Sequence, residues 1–201
     1  MTGVVTDALS LWGMEGAPTQ LIAARENQVF RVDHRGASFA LRLHRPGYRS
    51  KAELGSELAW MDIAAKGGIT VPAPLASLSG EFLHVVQDVQ VDVLGWLPGT
   101  PMPAPGGTED AARLRDLFHS LGQQMARLHQ VSDSWARPAG FTRCRWDRDG
   151  LLGAAPLWDR FWDNPGLSGE ERALLLQFRA AADAQLAACE DRLDYGLIHA
   201  D

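Results

Sequence analysis

Short apolar runs separated by turn residues dominate the first half of the chain. Between residues 19 and 44, the runs QLIAAR, NQVFRVD and SFALRLH have the length and composition of strands, and the turn HRGA separates the last two. The runs PLASLS, EFLHVVQ and VQVDVLGWL continue the strand signal, with a turn at Ser79 and Gly80. A short helix, DALSLW, is predicted before the first strand and ends at Gly13. This pattern predicts a five-stranded antiparallel sheet.

One helix is predicted directly after the third strand. Ser50 and Glu53 have the spacing of a capping box, in which the serine hydroxyl accepts from the backbone N–H three residues on and the glutamate reaches back. Gly67 and Gly68 are expected to end the helix. Its apolar stripe at helical spacing consists of Leu54, Leu58, Met61 and Ala65.

The strand signal stops at a segment rich in proline and glycine. These residues occupy seven of the twelve positions in PGTPMPAPGGTE, residues 98–109, which is typical of a linker. Helical periodicity follows over residues 109–130, and a capping-box spacing at Ser168 and Glu171 precedes a helix to about residue 190. The sequence therefore predicts an α+β fold with an N-terminal lobe over residues 1–97, a linker over 98–107 and a helical C-terminal lobe over 108–201.

Charge and composition narrow the class of partner. The net charge of −6 and the pI near 5.5 argue against a nucleic acid or an acidic membrane bound through bulk electrostatics, and favour a small molecule. No run approaches the roughly 18 to 20 apolar residues of a membrane span, and the N-terminus lacks the basic start of a signal peptide. We therefore expect a cytoplasmic protein, and nothing in the sequence indicates its oligomeric state.

A charged residue lies at the edge of the apolar stripe of the predicted helix. Glu57 is placed beside that stripe by helical spacing, and a buried carboxylate needs a cation as its partner. Alternation in SFALRLH places Arg42 in mid-strand, on the face opposite the large apolar side chains. Either the two residues form a pair that holds a polyanion against the sheet, or Glu57 is a partly exposed helix residue and Arg42 extends separately to solvent.

Two further segments concentrate charged or aromatic groups. RLHRPGYRSK, residues 42–51, is either a solvated turn or the source of a phosphate contact. PLWDRFWD, residues 156–163, begins with a proline suited to the first position of a helix. Its aromatic residues, together with Trp146, form either core packing or a wall for a cationic or hydroxylated acceptor.

Five segments follow one another in the order of a known family. They are ENQVFRV (26–32), LRLHRPGYRS (41–50) with SELAW (56–60), VLGWLPG (93–99), LGQQMARLH (121–129) and YGLIHAD (195–201). With a small sheet, a linker and a helical lobe, the chain resembles the protein-kinase-like fold of the aminoglycoside phosphotransferase superfamily. It is most similar to the bacterial stress-response kinase and homoserine kinase branch, from about Ala17 to Asp201.

The resemblance implies an ATP-dependent kinase that moves the γ-phosphoryl group to a hydroxyl of a small molecule or of a protein. It implies that Arg42 is the strand cation that contacts the α- and β-phosphates, and that Glu57 is the helix carboxylate that orients this cation. Asn27 would lie near the phosphates, and the backbone around Trp96 and Leu97 would meet the adenine edge.

At the end of the chain, the resemblance implies a catalytic loop. Asp201 matches the catalytic aspartate that accepts or orients the acceptor hydroxyl, and His199 matches the residue that braces this loop. A metal-dependent hydrolase with His199 and Asp201 as ligands is a weaker alternative, because the sequence places no further ligands beside them.

Two features depart from the pattern of the family. Its strand cation is often lysine, whereas Arg42 is bulkier, forked and permanently charged. The asparagine and the acidic motif that hold magnesium in the family do not follow Asp201, so we assign no metal ligand here and expect the Mg²⁺ ligands beyond the end of this chain. We therefore expect an N-terminal kinase fragment with an incomplete helical lobe, inactive alone. The alternative is a non-catalytic nucleotide-binding or interaction module of the pseudokinase type.

Overall fold

The computed structural model describes residues 2–99 and 111–198. The strands within these residues are β1 (Thr19–Ala24), β2 (Asn27–His34), β3 (Ala37–His44), β4 (Leu83–Val86) and β5 (Val89–Gly95). The α-helices are α1 (Thr2–Leu11), α2 (Lys51–Lys66), α3 (Ala111–Ser134), α4 (Arg148–Leu152) and α5 (Gly169–Ala187). Single turns of 3₁₀ helix lie at Phe161–Asp163 and Glu190–Arg192.

The strands form one antiparallel sheet in the order β1-β2-β3-β5-β4. Two-residue turns join β2 to β3 and β4 to β5, and both central residues of each turn have positive φ: Arg35 (50°) and Gly36 (80°), then Gln87 (49°) and Asp88 (67°). Such turns match the twist of the strands that they connect. The predicted α+β fold, with five antiparallel strands and a helix after the third, is confirmed.

The segment PLASLS does not form a strand. It contributes a single bridge, between Pro74 and Leu94 of β5. Two backbone bonds flank this bridge: the Leu75 N–H donates to the Val93 carbonyl oxygen and the Gly95 N–H donates to the Ala73 carbonyl oxygen, both at 2.8 Å. The adjoining stretch of the same edge, opposite residues 89–92 of β5, pairs with β4, which runs from Leu83 to Val86.

One face of the sheet is closed by α1. Leu41 pairs with Val93 and Leu43 pairs with Val91 across β3 and β5, and all four side chains are buried against the helix. The indole N–H of Trp12, just after α1, donates to the carbonyl oxygen of Leu75 at 2.8 Å. The residues that α1 and its end contribute to this core are Val5, Ala8, Leu9, Trp12 and Met14.

The helix α2 begins and ends where the sequence predicts. Both bonds of the capping box form: the Ser50 hydroxyl accepts from the Glu53 N–H at 3.2 Å, and the Glu53 carboxylate accepts from the Ser50 N–H at 2.9 Å. After Lys66, Gly68 adopts a positive φ of 78°, which glycine tolerates without strain. Leu54 and Leu58 are buried, as the apolar stripe predicts.

The helix α3 packs against α2. The indole N–H of Trp60 donates to the Ser132 hydroxyl at 2.8 Å, and a Cβ atom at Gly67 would lie 2.6 Å from Cγ2 of Val131. A glycine is therefore required where the end of α2 meets α3. These contacts fix the position of α2, and with it the position of Glu57.

The described residues divide into two compact units. The first contains residues up to 142 together with 197 and 198, and the second contains residues 143–196. The predicted linker over 98–107 lies largely outside the described residues, so the predicted lobe boundaries stay a prediction.

The second unit is built from α4, α5 and the two 3₁₀ turns. The predicted capping box of Ser168 and Glu171 starts α5. PLWDRFWD forms no α-helix, because Asp159 adopts a positive φ of 66° that interrupts the segment, and only Phe161–Asp163 form a 3₁₀ turn. Asp147 instead caps the short helix α4, through a bond from the Gly150 N–H to its carboxylate at 2.9 Å.

Several apolar side chains of the two longest helices are exposed. Leu117, Phe118 and Leu121 of α3 are 41%, 55% and 47% exposed, and Leu174 and Phe178 of α5 are 65% and 60% exposed. Over the described part of the chain, none of the helices combines the length and apolar character that a membrane span requires.

Candidate active site

Arg42 lies at the centre of the second face of the sheet. Strand alternation turns its side chain away from Leu41 and Leu43, and therefore away from the core under α1. Its direct neighbours across the sheet are Val29 on β2 and Asp92 on β5. The Arg42 side chain is only 14% exposed, so its charge requires partners within the protein.

Glu57 is one of these partners. Nη1 of Arg42 donates to Oε1 of Glu57 at 3.0 Å, and the Glu57 side chain is 25% exposed. The sequence left open whether Arg42 and Glu57 form a pair or are two separate exposed side chains. The structure shows that they form a pair. The pair connects the third strand to the helix that follows it.

Asp92 is a second partner, which the sequence analysis missed. Its side chain is completely buried, and it accepts two bonds from Arg42, from Nε at 2.7 Å and from Nη2 at 2.9 Å. A signal was present, because an aspartate interrupts the valines of VQVDVLG, and alternation gives it the face opposite Val91 and Val93. Only the pairing of β5 with β3 shows that this face is also that of Arg42.

His44 completes the group. Its Nε2 lies 2.6 Å from Oδ2 of Asp92, and the His44 side chain is 4% exposed. Because an ionised carboxylate can only accept, Nε2 carries the hydrogen of this bond. Two residues of β3 therefore hold Asp92: Arg42, which lies directly opposite it, and His44, two residues further along the same strand.

The charges of the group shift the pKa values of its members. Burial raises the pKa of Asp92, but the hydrogen bond from His44 and the positive charge of Arg42 outweigh burial, and the pKa lies below its ordinary value of 3.8. Burial lowers the pKa of Arg42, whereas Asp92 and Glu57 raise it by more, so the net shift is upward. Arg42 and Asp92 are therefore both charged at neutral pH.

The lowered pKa of Asp92 predicts a loss of stability in acid. A carboxyl whose pKa is lower in the folded than in the unfolded state contributes stability that is fully present above the unfolded value and is lost as pH falls through the folded value. We expect hydrogen-exchange protection of the β3 and β5 amides to decline as pH falls below 3.8. Asp92→Asn should remove this part of the profile. Asp62→Asn, which affects an exposed pair with Lys66, should retain it.

Asn27 lies on the same face as Arg42. It is the first residue of β2 and the direct partner of His44, two residues along the strand from the pair of Val29 with Arg42. Arg25 and Glu26 form the tight turn before it, in which the Arg25 N–H donates to the Asn27 carbonyl oxygen at 3.1 Å. Asn27 also lines a cavity of about 210 Å³ at this end of the sheet.

Trp96 and Leu97 directly follow β5. The Trp96 N–H donates to the carbonyl oxygen of Ser38 at 3.2 Å, and the guanidinium of Arg31 lies 5.5 Å from the centre of the Trp96 ring. The Leu97 side chain is 41% exposed. Both residues therefore directly follow β5, the strand beside β3. Their contact with adenine stays a prediction.

The sequence profile of the phosphotransferase enzyme family (APH) matches residues 19–201. The chain belongs to this family. The predicted resemblance to the aminoglycoside phosphotransferase superfamily is thereby confirmed.

Individual proteins are similar to this chain over nearly its whole length. Amicoumacin kinase of Bacillus subtilis (strain 168) is 26% identical over 201 residues, which cover 98% of this chain and 56% of that protein. The structure of a microcompartment-associated aminopropanol kinase is 29% identical with a TM-score of 0.77, and the match covers 100% of this chain and 62% of that one. The chain thus spans little more than half the length of the curated relative.

A third similar protein shows the fold alone. The structure of an amicoumacin kinase in complex with AMP-PNP, Ca²⁺ and Ami is 21% identical, with a TM-score of 0.72, and the match covers 100% of this chain and 57% of that one. Its fold agrees with the antiparallel sheet and helices described above for this phosphotransferase chain.

The family resemblance also singles out two residues at the end of the chain. His199 and Asp201 lie outside the described residues, and their roles stay predictions. Over residues 2–99 and 111–198, no three or more His, Cys, Asp and Glu side chains come close enough together to hold a metal ion.

The two segments left open by the sequence acquire definite contacts. In residues 42–51, Arg49 bonds to Glu53 at 3.3 Å and its guanidinium lies 5.1 Å from the centre of the Tyr48 ring. In the second unit, Trp162 is 3% exposed beneath the guanidinium of Arg179, which lies 4.2 Å from its ring centre. Trp162 is therefore core packing, whereas Trp158 is 71% exposed.

Proposed function

We propose that this chain is the nucleotide-binding part of a kinase that transfers the γ-phosphoryl group of ATP to a hydroxyl of a small molecule. The observation that carries the proposal is the largely buried Arg42, which bonds from β3 to Glu57 on α2 in a chain of the phosphotransferase family. The similar proteins named as kinases of amicoumacin and of aminopropanol support a small-molecule acceptor.

The described residues fit the polyphosphate of a nucleotide. A guanidinium is permanently charged and presents its N–H groups in a fork that matches phosphate oxygens. Asn27 lies on the same face, next to the tight turn between β1 and β2. Arg42 would therefore hold phosphate oxygens, and Asn27 would bond to them from the neighbouring strand.

The roles of the other residues follow from the demands of phosphoryl transfer. Bound ATP would supply the transferred group, and catalysis of this reaction is mainly positioning and charge stabilisation. Glu57 would orient the guanidinium of Arg42, and the backbone at Trp96 and Leu97 would bond to the adenine edge. Asp201 would orient the acceptor hydroxyl, with His199 bracing its loop.

The proposal also includes a divalent metal ion and a cellular location. The similar amicoumacin kinase was solved with AMP-PNP and Ca²⁺, which supports a divalent cation as the partner of the nucleotide. We propose Mg²⁺ in this role, and we assign it no ligand among the described residues. We also propose that the enzyme acts in the cytoplasm, on a dissolved acceptor, without a nucleic-acid or membrane partner.

Calorimetry and a transfer assay test the proposal on the complete protein that contains this chain. ATP should bind more tightly with Mg²⁺ than without it, and radiolabel from [γ-³²P]ATP should pass to at least one member of a panel of amino alcohols and hydroxylated antibiotics. Absence of ATP binding would overturn the proposal. Binding that is indifferent to Mg²⁺, with no transfer to any acceptor, would instead favour the non-catalytic nucleotide-binding module.

A further inference from the structure

Arg42 lies between two carboxylates that hold it in different ways. Asp92 is completely buried on the neighbouring strand and accepts from both Nε and Nη2, at 2.7 and 2.9 Å. Glu57 is 25% exposed on a helix and accepts from Nη1 at 3.0 Å. The first contact holds one edge of the guanidinium through two parallel N–H groups, and the second contact holds one N–H of Nη1.

We propose that Asp92 is the positioning residue for Arg42, and that it aims the guanidinium N–H groups that bond to neither Asp92 nor Glu57 at the phosphates of the nucleotide. This inference rests on the proposed function, because it takes Arg42 to contact those phosphates. Glu57 then has the lesser effect on phosphate affinity.

The hydrogen-bond count of the guanidinium supports this assignment. Arginine has five N–H donors, and Asp92 and Glu57 accept from three of them. Among the residues that the structure describes, the other two donors have no acceptor, one on each terminal nitrogen. Because the guanidinium is planar, the direction of these two donors is set by whatever fixes its plane, and a two-point contact fixes a plane that a single bond leaves free to rotate.

The choice of arginine over lysine has the same explanation. The ammonium group of lysine is a compact charge with three rotatable donors, so it needs no partner that fixes a plane. The planar, forked guanidinium of Arg42 does need a partner that fixes its plane. Asp92 lies directly opposite Arg42 on the neighbouring strand, and its carboxylate can be that partner.

Asp92 is itself held rigidly. His44 bonds to the oxygen that Nη2 also contacts, with Nε2 at 2.6 Å from Oδ2. With Asp92 completely buried and His44 only 4% exposed, water does not compete for these bonds. Glu57 has solvent access and can exchange its bond with Arg42 for water when a polyanion approaches, whereas Asp92 has no such alternative.

The test measures the preference for ATP over adenosine by calorimetry on the complete protein. Adenosine lacks the phosphates, so its affinity reports the shape of the site, and the ratio of the two affinities reports the phosphate contact. Asp92→Asn should lower this ratio by about ten-fold or more, and Glu57→Gln by about three-fold or less, with adenosine affinity little changed. Asp62→Asn, which affects the exposed pair with Lys66 on α2, is the matched control and should leave the ratio unchanged.

Each other outcome counts against the inference. Equal loss of ATP and adenosine affinity in Asp92→Asn would make Asp92 a structural ion-pair partner only, and a larger effect of Glu57→Gln would return the positioning role to the helix. If Asp92→Asn does not fold, Asp92→Glu keeps the charge and moves the carboxylate by one methylene, and an unchanged ratio in that variant overturns the inference. A wild-type protein with no preference for ATP would overturn the proposed phosphate contact of Arg42 as well, which distinguishes the two failures.

Discussion

Arg42→Met is expected to destabilise the first compact unit by about 3–5 kcal/mol and to abolish the preference for ATP over adenosine. Methionine fills much of the volume of the arginine stem but leaves Asp92 completely buried without its cation, and an uncompensated buried charge is costly. Hydrogen exchange of the β3 and β5 amides measures the effect, because these strands belong to the first unit and the signal does not include the second.

A neighbouring arginine provides the control for this variant. Arg31 pairs with Asp33 on the same sheet, but the two side chains are 40% and 51% exposed, so Arg31→Met should cost under about 1 kcal/mol. The double variant Arg42→Met with Asp92→Asn removes both charges and should recover part of the lost stability. Similar protection factors for Arg42→Met and Arg31→Met would show that the sheet does not depend on the buried pair.

The parts of the fold that depend on neighbouring residues could be predicted from the sequence. Both capping boxes join residues three apart, and the bonds at Ser50 and Ser168 form as their spacing predicts. Glu57 could also be inferred as the partner of Arg42, because only a short connection separates β3 from α2. Local rules suffice when partners are close in sequence.

Asp92 shows where such rules stop. It lies 50 residues from Arg42, and β5 reaches β3 only because β4 takes the outer edge of the sheet. The alternation of side chains along β5 predicted which face of the sheet Asp92 occupies. No local signal predicted that β3 is the neighbouring strand. The register of two strands that are not consecutive has to be known before this contact can be inferred.

Helical periodicity predicted α3 and α5 correctly but did not determine which of their side chains are buried. Phe118, in the apolar stripe of α3, is 55% exposed, and Phe178 on α5 is 60% exposed. An apolar stripe shows which side chains suit burial, not which surface covers them. In PLWDRFWD, the left-handed conformation of Asp159 overrode the helical pattern altogether.

In the kinase that we propose contains this chain, Asp201→Asn is expected to lower kcat by about 10²–10⁴-fold while the KM for ATP changes little. The asparagine keeps the size of the side chain but loses the negative charge that we propose aligns the acceptor hydroxyl and receives its proton. The nucleotide, in contrast, is proposed to bind through residues of the sheet lobe such as Arg42. Because the substitution does not alter these residues, the KM for ATP should change little. Steady-state kinetics with an acceptor identified by the transfer assay measure both constants.

Asp194→Asn is the matched control, because it makes the same chemical change at an exposed position seven residues earlier in the chain. It should leave both kcat and KM unchanged, which separates the loss of one particular carboxylate from a general effect of neutralising this segment. An unchanged kcat in Asp201→Asn would remove Asp201 from the mechanism. A rise in KM for ATP at constant kcat would assign the carboxylate to nucleotide binding, since an interaction made only in the transition state lowers kcat and leaves ground-state binding intact.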